Sequence, residues 1–227
     1  MRDYLKKSEF WGAMILLAVH AVLLPVLVEI VSRLKPDLMS AVQYNALYYC
    51  ISITLTAVLL GRFLRRGFDS LLDNFGGCVK AFLFGWLIFF ALAMLSGYAM
   101  SLSGVTEASP NDQMLDMLIN EDRGIILALS LFVAPVVEEC IFRGGIFCGL
   151  YRKNRVLAYT ASILLFAIYH IWQYVASTGD LSYLIYILSY IPASFVLCWV
   201  YEKSGSIWTS IFFHICNNLF AFSVMMQ

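Results

Sequence analysis

Long apolar runs separated by short polar clusters fill almost the whole chain. A helix that crosses a bilayer needs about 20 predominantly apolar residues. The runs at 10–30, 42–60, 81–102, 124–151, 156–176, 181–201 and 207–226 meet that requirement. The pattern therefore predicts an all-α fold, a polytopic transmembrane helical bundle of about seven spans. An eighth element is expected if "RRGFDSLLDNFGG", residues 65–77, forms a separate helix along the interface. The fourth run is long and contains Pro135, so a kink or break is expected there. No repeat or linker divides the chain, which points to one membrane-embedded domain over residues 1–227.

The first residues, "MRDYLKKSEF", are basic and lead into the first apolar run, as in a signal peptide. That run is too long for a typical signal sequence and no small-x-small cleavage site follows, so an uncleaved first span is expected. Orientation follows from the lysines and arginines of the loops. With the N-terminus cytoplasmic, Arg2, Lys6, Lys7, Arg62, Arg65, Arg66, Lys80, Arg152, Lys153, Arg155 and Lys203 lie inside. Only Arg33, Lys35 and Arg123 lie outside, and the C-terminus becomes extracytoplasmic. The acidic loop "SGVTEASPNDQMLDMLINED" falls outside, where "QMLDMLIN" is expected as a small amphipathic turn over a site. The compact chain fits a bacterial cell membrane.

Composition narrows the classes further. Of 227 residues, 61% are hydrophobic and 13% charged, which excludes a disordered chain and an ordinary soluble enzyme. The zero net charge leaves no basic footprint for nucleic acid. Six cysteines lie mostly within apolar runs and show no C-x-x-C spacing, so neither a disulfide framework nor a zinc cluster is expected from them.

Against this background "FVAPVVEECIFRGG", residues 132–145, is anomalous. An ionisable group at the centre of a membrane helix costs about 2.5–3.5 kcal/mol on insertion scales. Glu139 and Arg143 are spaced i, i+4 with the glutamate first, a favourable helical pair. Glu138 is rotated about 100° away and needs other partners. By helical rise, Glu138 lies ~20 Å and His170 ~21 Å from the cytoplasmic ends of successive antiparallel spans. On the last span His214 lies ~11 Å and Asn218 ~17 Å from the same side, on one helix face. Phe166 shares a face with His170. Each residue has a plainer reading: a membrane histidine is usually a hydrogen-bonded packing residue, and an asparagine is usually interhelical glue. His20 in the first span has no companions in the pattern and is read as such a packing residue. Cys140 is read as packing too.

Convergence of these groups suits hydrolysis of a peptide bond. Glu138 in a low-dielectric site is a candidate general base, and His170 would hold the same water and shuttle a proton. The His214 imidazole and the Asn218 amide are candidate donors to an oxyanion, while Glu139 and Arg143 support the helix.

The motifs "EECIFR", "FAIYH" and "HICNN" follow E-E-x-x-x-R, F-x-x-x-H and H-x-x-x-N in order, and "EKSGSIWTSIFFH" resembles the approach to the third. The chain thus resembles the CPBP (CAAX protease and bacteriocin-processing, or Abi) family, which includes the type II CAAX prenyl endopeptidases. The resemblance covers about residues 123–222. It implies a glutamic-type intramembrane endopeptidase without a cofactor, with Glu138 and His170 catalytic, His214 and Asn218 at the oxyanion, and Glu139, Arg143 and Phe166 in support. Asn217 adjoins Asn218, and the spacing favours Asn218. The implied partners are a peptide or membrane-protein substrate and the bilayer. Three rivals stand beside it: a zinc protease with Glu138, His170 and His214 as ligands, although no H-E-x-x-H is present; a membrane scaffold or proton-coupled carrier; and a pseudoenzyme that only binds.

Overall fold

A computed structural model of the chain describes residues 5–105 and 107–225. Arg2 of the inside set and Met226 at the end of the seventh apolar run lie outside the described residues. Among the described residues nine helical stretches run in order: α1 Lys7–Leu34, α2 Ala41–Asp73, α3 Phe75–Leu102, α4 Pro110–Glu121, α5 Arg123–Tyr151, α6 Arg155–Tyr169, α7 Trp172–Thr178, α8 Leu181–Ser204 and α9 Ile207–Met225. No strand occurs among the described residues.

Six of these helices are long and apolar enough to cross a membrane, and α6 with α7 would make a seventh span bent by 49°. The protein is therefore a multi-pass membrane protein built as a helical bundle. Two expectations are corrected. Residues 65–77 do not form a separate interfacial helix: α2 runs unbroken to Asp73, and α3 begins at Phe75 after a break at Asn74. With 33 residues α2 is about 50 Å long, well beyond the ~30 Å apolar core, so its polar last turns project from it. The fifth apolar run is not one straight helix either, because it breaks at His170 and Ile171.

The core is organised around α5, 56% of whose most apolar window is buried, against 17% for α1 and α3. Outer helices turn large apolar side chains outward, such as Leu83, Leu87, Met94 and Leu95 of α3. That surface suits lipid tails, whereas α5 is enclosed by protein. Close approach of α1 to α5 depends on Gly145 and Gly149, spaced i, i+4. A Cβ at Gly145 would lie 2.7 Å from the Ala13 Cβ, and one at Gly149 2.7 Å from the Phe10 ring. Small residues at this spacing let membrane helices meet backbone to backbone.

Three prolines shape the helices by removing backbone donors. A π-helical turn spans Val19–Leu23 in α1 and another spans Leu129–Val133 in α5. In each, the next i→i+5 donor in line is a proline, Pro25 or Pro135, so the carbonyls of His20 and Ser130 lose it. The Tyr48 hydroxyl donates to the His20 carbonyl at 3.0 Å, and Asn218 Nδ2 donates to the Ser130 carbonyl at 3.0 Å. In α8, Pro192 frees the Leu188 carbonyl, which accepts from Ser96 Oγ of α3 at 2.5 Å. A buried carbonyl without a donor is costly in a membrane. Here each freed carbonyl becomes a fastening point between spans.

Candidate active site

Directly after Glu138 and Glu139, α5 widens into a π-helical stretch, Cys140–Phe147. Such turns often occur at functional sites. Glu139 and Arg143 are fully buried and paired, with 3.0 Å between Oε1 and the guanidinium. The pair is a hub rather than a closed couple. Glu139 also faces His214 Nδ1 at 2.9 Å and accepts from Ser210 Oγ at 2.5 Å. Arg143 donates to the carbonyl and hydroxyl of Ser194 at 3.2 and 3.1 Å and lies 4.5 Å above the Phe166 ring. Phe166 is thus a platform under the guanidinium, and its ring also packs 4.5 Å from that of His170.

Glu138 points elsewhere, as its 100° rotation requires. Its Oε2 lies 4.0 Å from His170 Nε2 and 3.8 Å from His214 Nε2. These three groups meet on the wall of a cavity of about 520 Å³. Helix α4 closes one side of that cavity through Asn111, Asp112, Met114, Leu115 and Leu118, so the amphipathic segment expected over the site is present.

The break after Tyr169 fixes the orientation of His170. Its backbone N–H bonds the Ala167 carbonyl at 3.2 Å instead of continuing the α pattern to Phe166. The Phe166 carbonyl then accepts from His170 Nδ1 at 2.8 Å. A carbonyl only accepts, so Nδ1 carries a proton, and in the neutral ring Nε2 presents its lone pair to the cavity. His214 behaves alike, since its Nδ1 faces the Glu139 carboxylate. Both cavity-facing nitrogens are therefore basic in the neutral rings. Asn218 lines the cavity, but its Nδ2 is partly committed to Ser130, leaving one amide hydrogen. Asn217 lines it as well, with a buried Oδ1 that has no partner. Cys140 is fully buried in the apolar core.

His20 does not stand alone, contrary to the expectation. It is fully buried, with Nδ1 2.8 Å from Ser52 Oγ and Nε2 2.9 Å from the Tyr169 hydroxyl. Ser52 Oγ donates to the Tyr48 carbonyl, so it accepts from His20, and Tyr169 donates to Nε2. This chain joins α1, α2 and α6 next to His170. Tyr169→Phe leaves a buried acceptor and should lower stability by about 1–3 kcal/mol, read from the unfolding midpoint in detergent. An unchanged midpoint would mean that the network is not a fastening.

Sequence pattern missed several contributors. Ser210 sits i, i−4 from His214, and that spacing was a usable signal. Ser194 and Tyr190 carry none, because only tertiary packing brings Ser194 to Arg143 and stacks Tyr190 on His170 at 4.5 Å.

The zinc reading requires ligand atoms about 3.3 Å apart around a tetrahedral ion. The 3.8 and 4.0 Å separations are wider, and no group of three His, Cys, Asp or Glu among the described residues is disposed to hold a metal. The residues as placed do not fit a zinc shell.

Comparison with known proteins adds a family context. Residues 121–220 match the family model described as type II CAAX prenyl endopeptidase Rce1-like. YdiL of Bacillus subtilis, named as a candidate membrane peptidase, is 33% identical over 63% of this chain and 55% of its own length. Two UPF0177 proteins of Lactococcus lactis subsp. lactis are also similar. YxdF is 33% identical over 41% of this chain and 46% of its own, and YvdC 26% over 60% and 49%. The chain spans about half the length of these relatives. No solved structure matches it.

Proposed function

Because residues 121–220 match the family model described as type II CAAX prenyl endopeptidase Rce1-like, we propose that this chain is an intramembrane endopeptidase of the glutamic type. The observation that carries the reading is the gap between Glu138 Oε2 and His170 Nε2 on the cavity wall. At 4.0 Å it is too long for a direct hydrogen bond. A water about 2.8 Å from both atoms subtends about 90° and can donate one hydrogen to each.

In the proposed reaction that water attacks the scissile carbonyl carbon as Glu138 takes its proton. The oxyanion is met by the remaining Asn218 amide hydrogen and by His214 when its Nε2 is protonated. Glu139 supports that imidazolium through Nδ1, much as a carboxylate supports histidine in a triad. Collapse breaks the C–N bond, and the proton held by Glu138 passes to the leaving amine. One water is consumed, and a carboxyl and an amine are formed. His170 keeps the water oriented and shares its proton.

The whole chain, 1–227, acts as one domain with residues 123–222 as its motif-bearing core. Its proposed setting is a bacterial cell membrane, with the N-terminus cytoplasmic and the C-terminus extracytoplasmic. The proposed substrate is a membrane-associated peptide or protein.

The test is hydrolysis of membrane peptides by reconstituted protein in heavy-oxygen water, read by mass spectrometry. The new C-terminus should carry the label, and a chelator should leave the rate unchanged within about twofold, since no step uses a metal. Loss of activity on chelation, restored by zinc, would overturn the glutamic mechanism in favour of a metal. Proton-coupled uptake without any labelled product would overturn the hydrolase in favour of a carrier.

A further inference from the structure

The cavity has a one-sided charge. Asp112 and Glu138 are the carboxylates on its wall, and no lysine or arginine lines it among the described residues. Helix α4, which closes it, carries Asp112, Asp116 and Glu121 and no basic residue. Near Asp112 the wall is aromatic: Tyr174 and Tyr190, both within electrostatic reach of its carboxylate, line the same cavity. Tyr190 fixes this arrangement to the reaction centre. Its ring stacks on His170 at 4.5 Å and 24°, and its hydroxyl lies 3.0 Å from Ser109 Oγ. Ser109 in turn accepts from the Asp112 backbone N–H at 3.2 Å and caps α4. The start of α4, with Asp112, is thereby tied through Tyr190 to the His170 imidazole.

A carboxylate beside tyrosine rings is chemistry that receives an ammonium or guanidinium. An anionic side chain placed against Asp112 meets a carboxylate with no lysine or arginine on the wall to offset it, which is a repulsive element of specificity. We infer that the cavity takes a cationic peptide segment, holding a lysine or arginine side chain beside the scissile bond against Asp112, Tyr174 and Tyr190, and rejects acidic side chains there. This rests on the endopeptidase reading and adds the class of substrate to it.

The probes are short fluorescent leucine–alanine peptides that differ only in one central residue, lysine, alanine or glutamate. Hydrolysis is followed on the wild-type protein and binding on the Glu138→Gln protein. The lysine peptide should exceed the glutamate peptide by about tenfold or more in both assays, and added salt should shrink the ratio. Asp112→Asn should compress the ratio toward unity, and Asp112→Lys should reverse it. Equal cleavage and equal binding of the lysine and glutamate peptides would overturn the inference while leaving the peptidase intact. Charge-ordered binding without hydrolysis of any peptide would overturn the peptidase and leave the cationic site. Neither binding nor hydrolysis would overturn both.

Discussion

Replacing Glu138 by glutamine should lower peptide hydrolysis by about 10²–10⁴-fold, the usual contribution of a positioned general base. The substitution is nearly isosteric, and it removes a buried charge without leaving a cavity beside His170 and His214, which lie 4.0 and 3.8 Å away. The folded protein should therefore persist, with an unfolding midpoint close to that of the wild type, while the water loses its proton acceptor. Glu138→Asp should fall between the two, because shortening the side chain widens the gaps that the proposed single water would bridge. The measurement is initial rate on a cleavable membrane peptide, with folding monitored on the same sample. A Glu138→Gln protein that retains activity within a few-fold would remove Glu138 from the chemistry and with it the proposed mechanism.

The opposite signature is expected five residues along, at Arg143. Arg143→Met should destabilise the protein by about 3–5 kcal/mol, since it leaves the fully buried Glu139 carboxylate without its cation. Activity should fall as well, through His214, whose Nδ1 faces that carboxylate. Adding Glu139→Gln to Arg143→Met should recover part of the stability, because the uncompensated charge is then gone. Unfolding in detergent, by heat or denaturant, reads both. An Arg143→Met protein as stable as the wild type would show that Ser210 and His214 alone neutralise Glu139.

Much of this division was legible in the sequence. Period and length marked the spans, and spacing alone paired Glu139 with Arg143 and turned Glu138 away from them. Helical rise placed Glu138 and His170 at one level, and the two groups do meet. Rise along a straight rod could not foretell the break after Tyr169, which reduces the fifth run to α6 plus the bent α7. Nor could it foretell the π turns, which shift facing directions by adding a residue to a turn. His20 looked isolated because its partners, Ser52, Tyr48 and Tyr169, lie 28 to 149 residues away and have no periodic relation to it. Asn218 showed the same limit in reverse. Its position on the His214 face was readable, but its bond to the Ser130 carbonyl exists only because Pro135 removes a backbone donor on another helix.

The freed carbonyls invert a familiar rule of protein engineering. Alanine is the better helix former, and exchanging a helical proline for it is a standard route to a sturdier helix. At Pro25, Pro135 and Pro192 the exchange would restore an amide hydrogen that competes with Tyr48, Asn218 and Ser96 for the carbonyls of His20, Ser130 and Leu188. Each helix would gain internally while the bundle lost a cross-brace, so optimising the parts separately would loosen the whole.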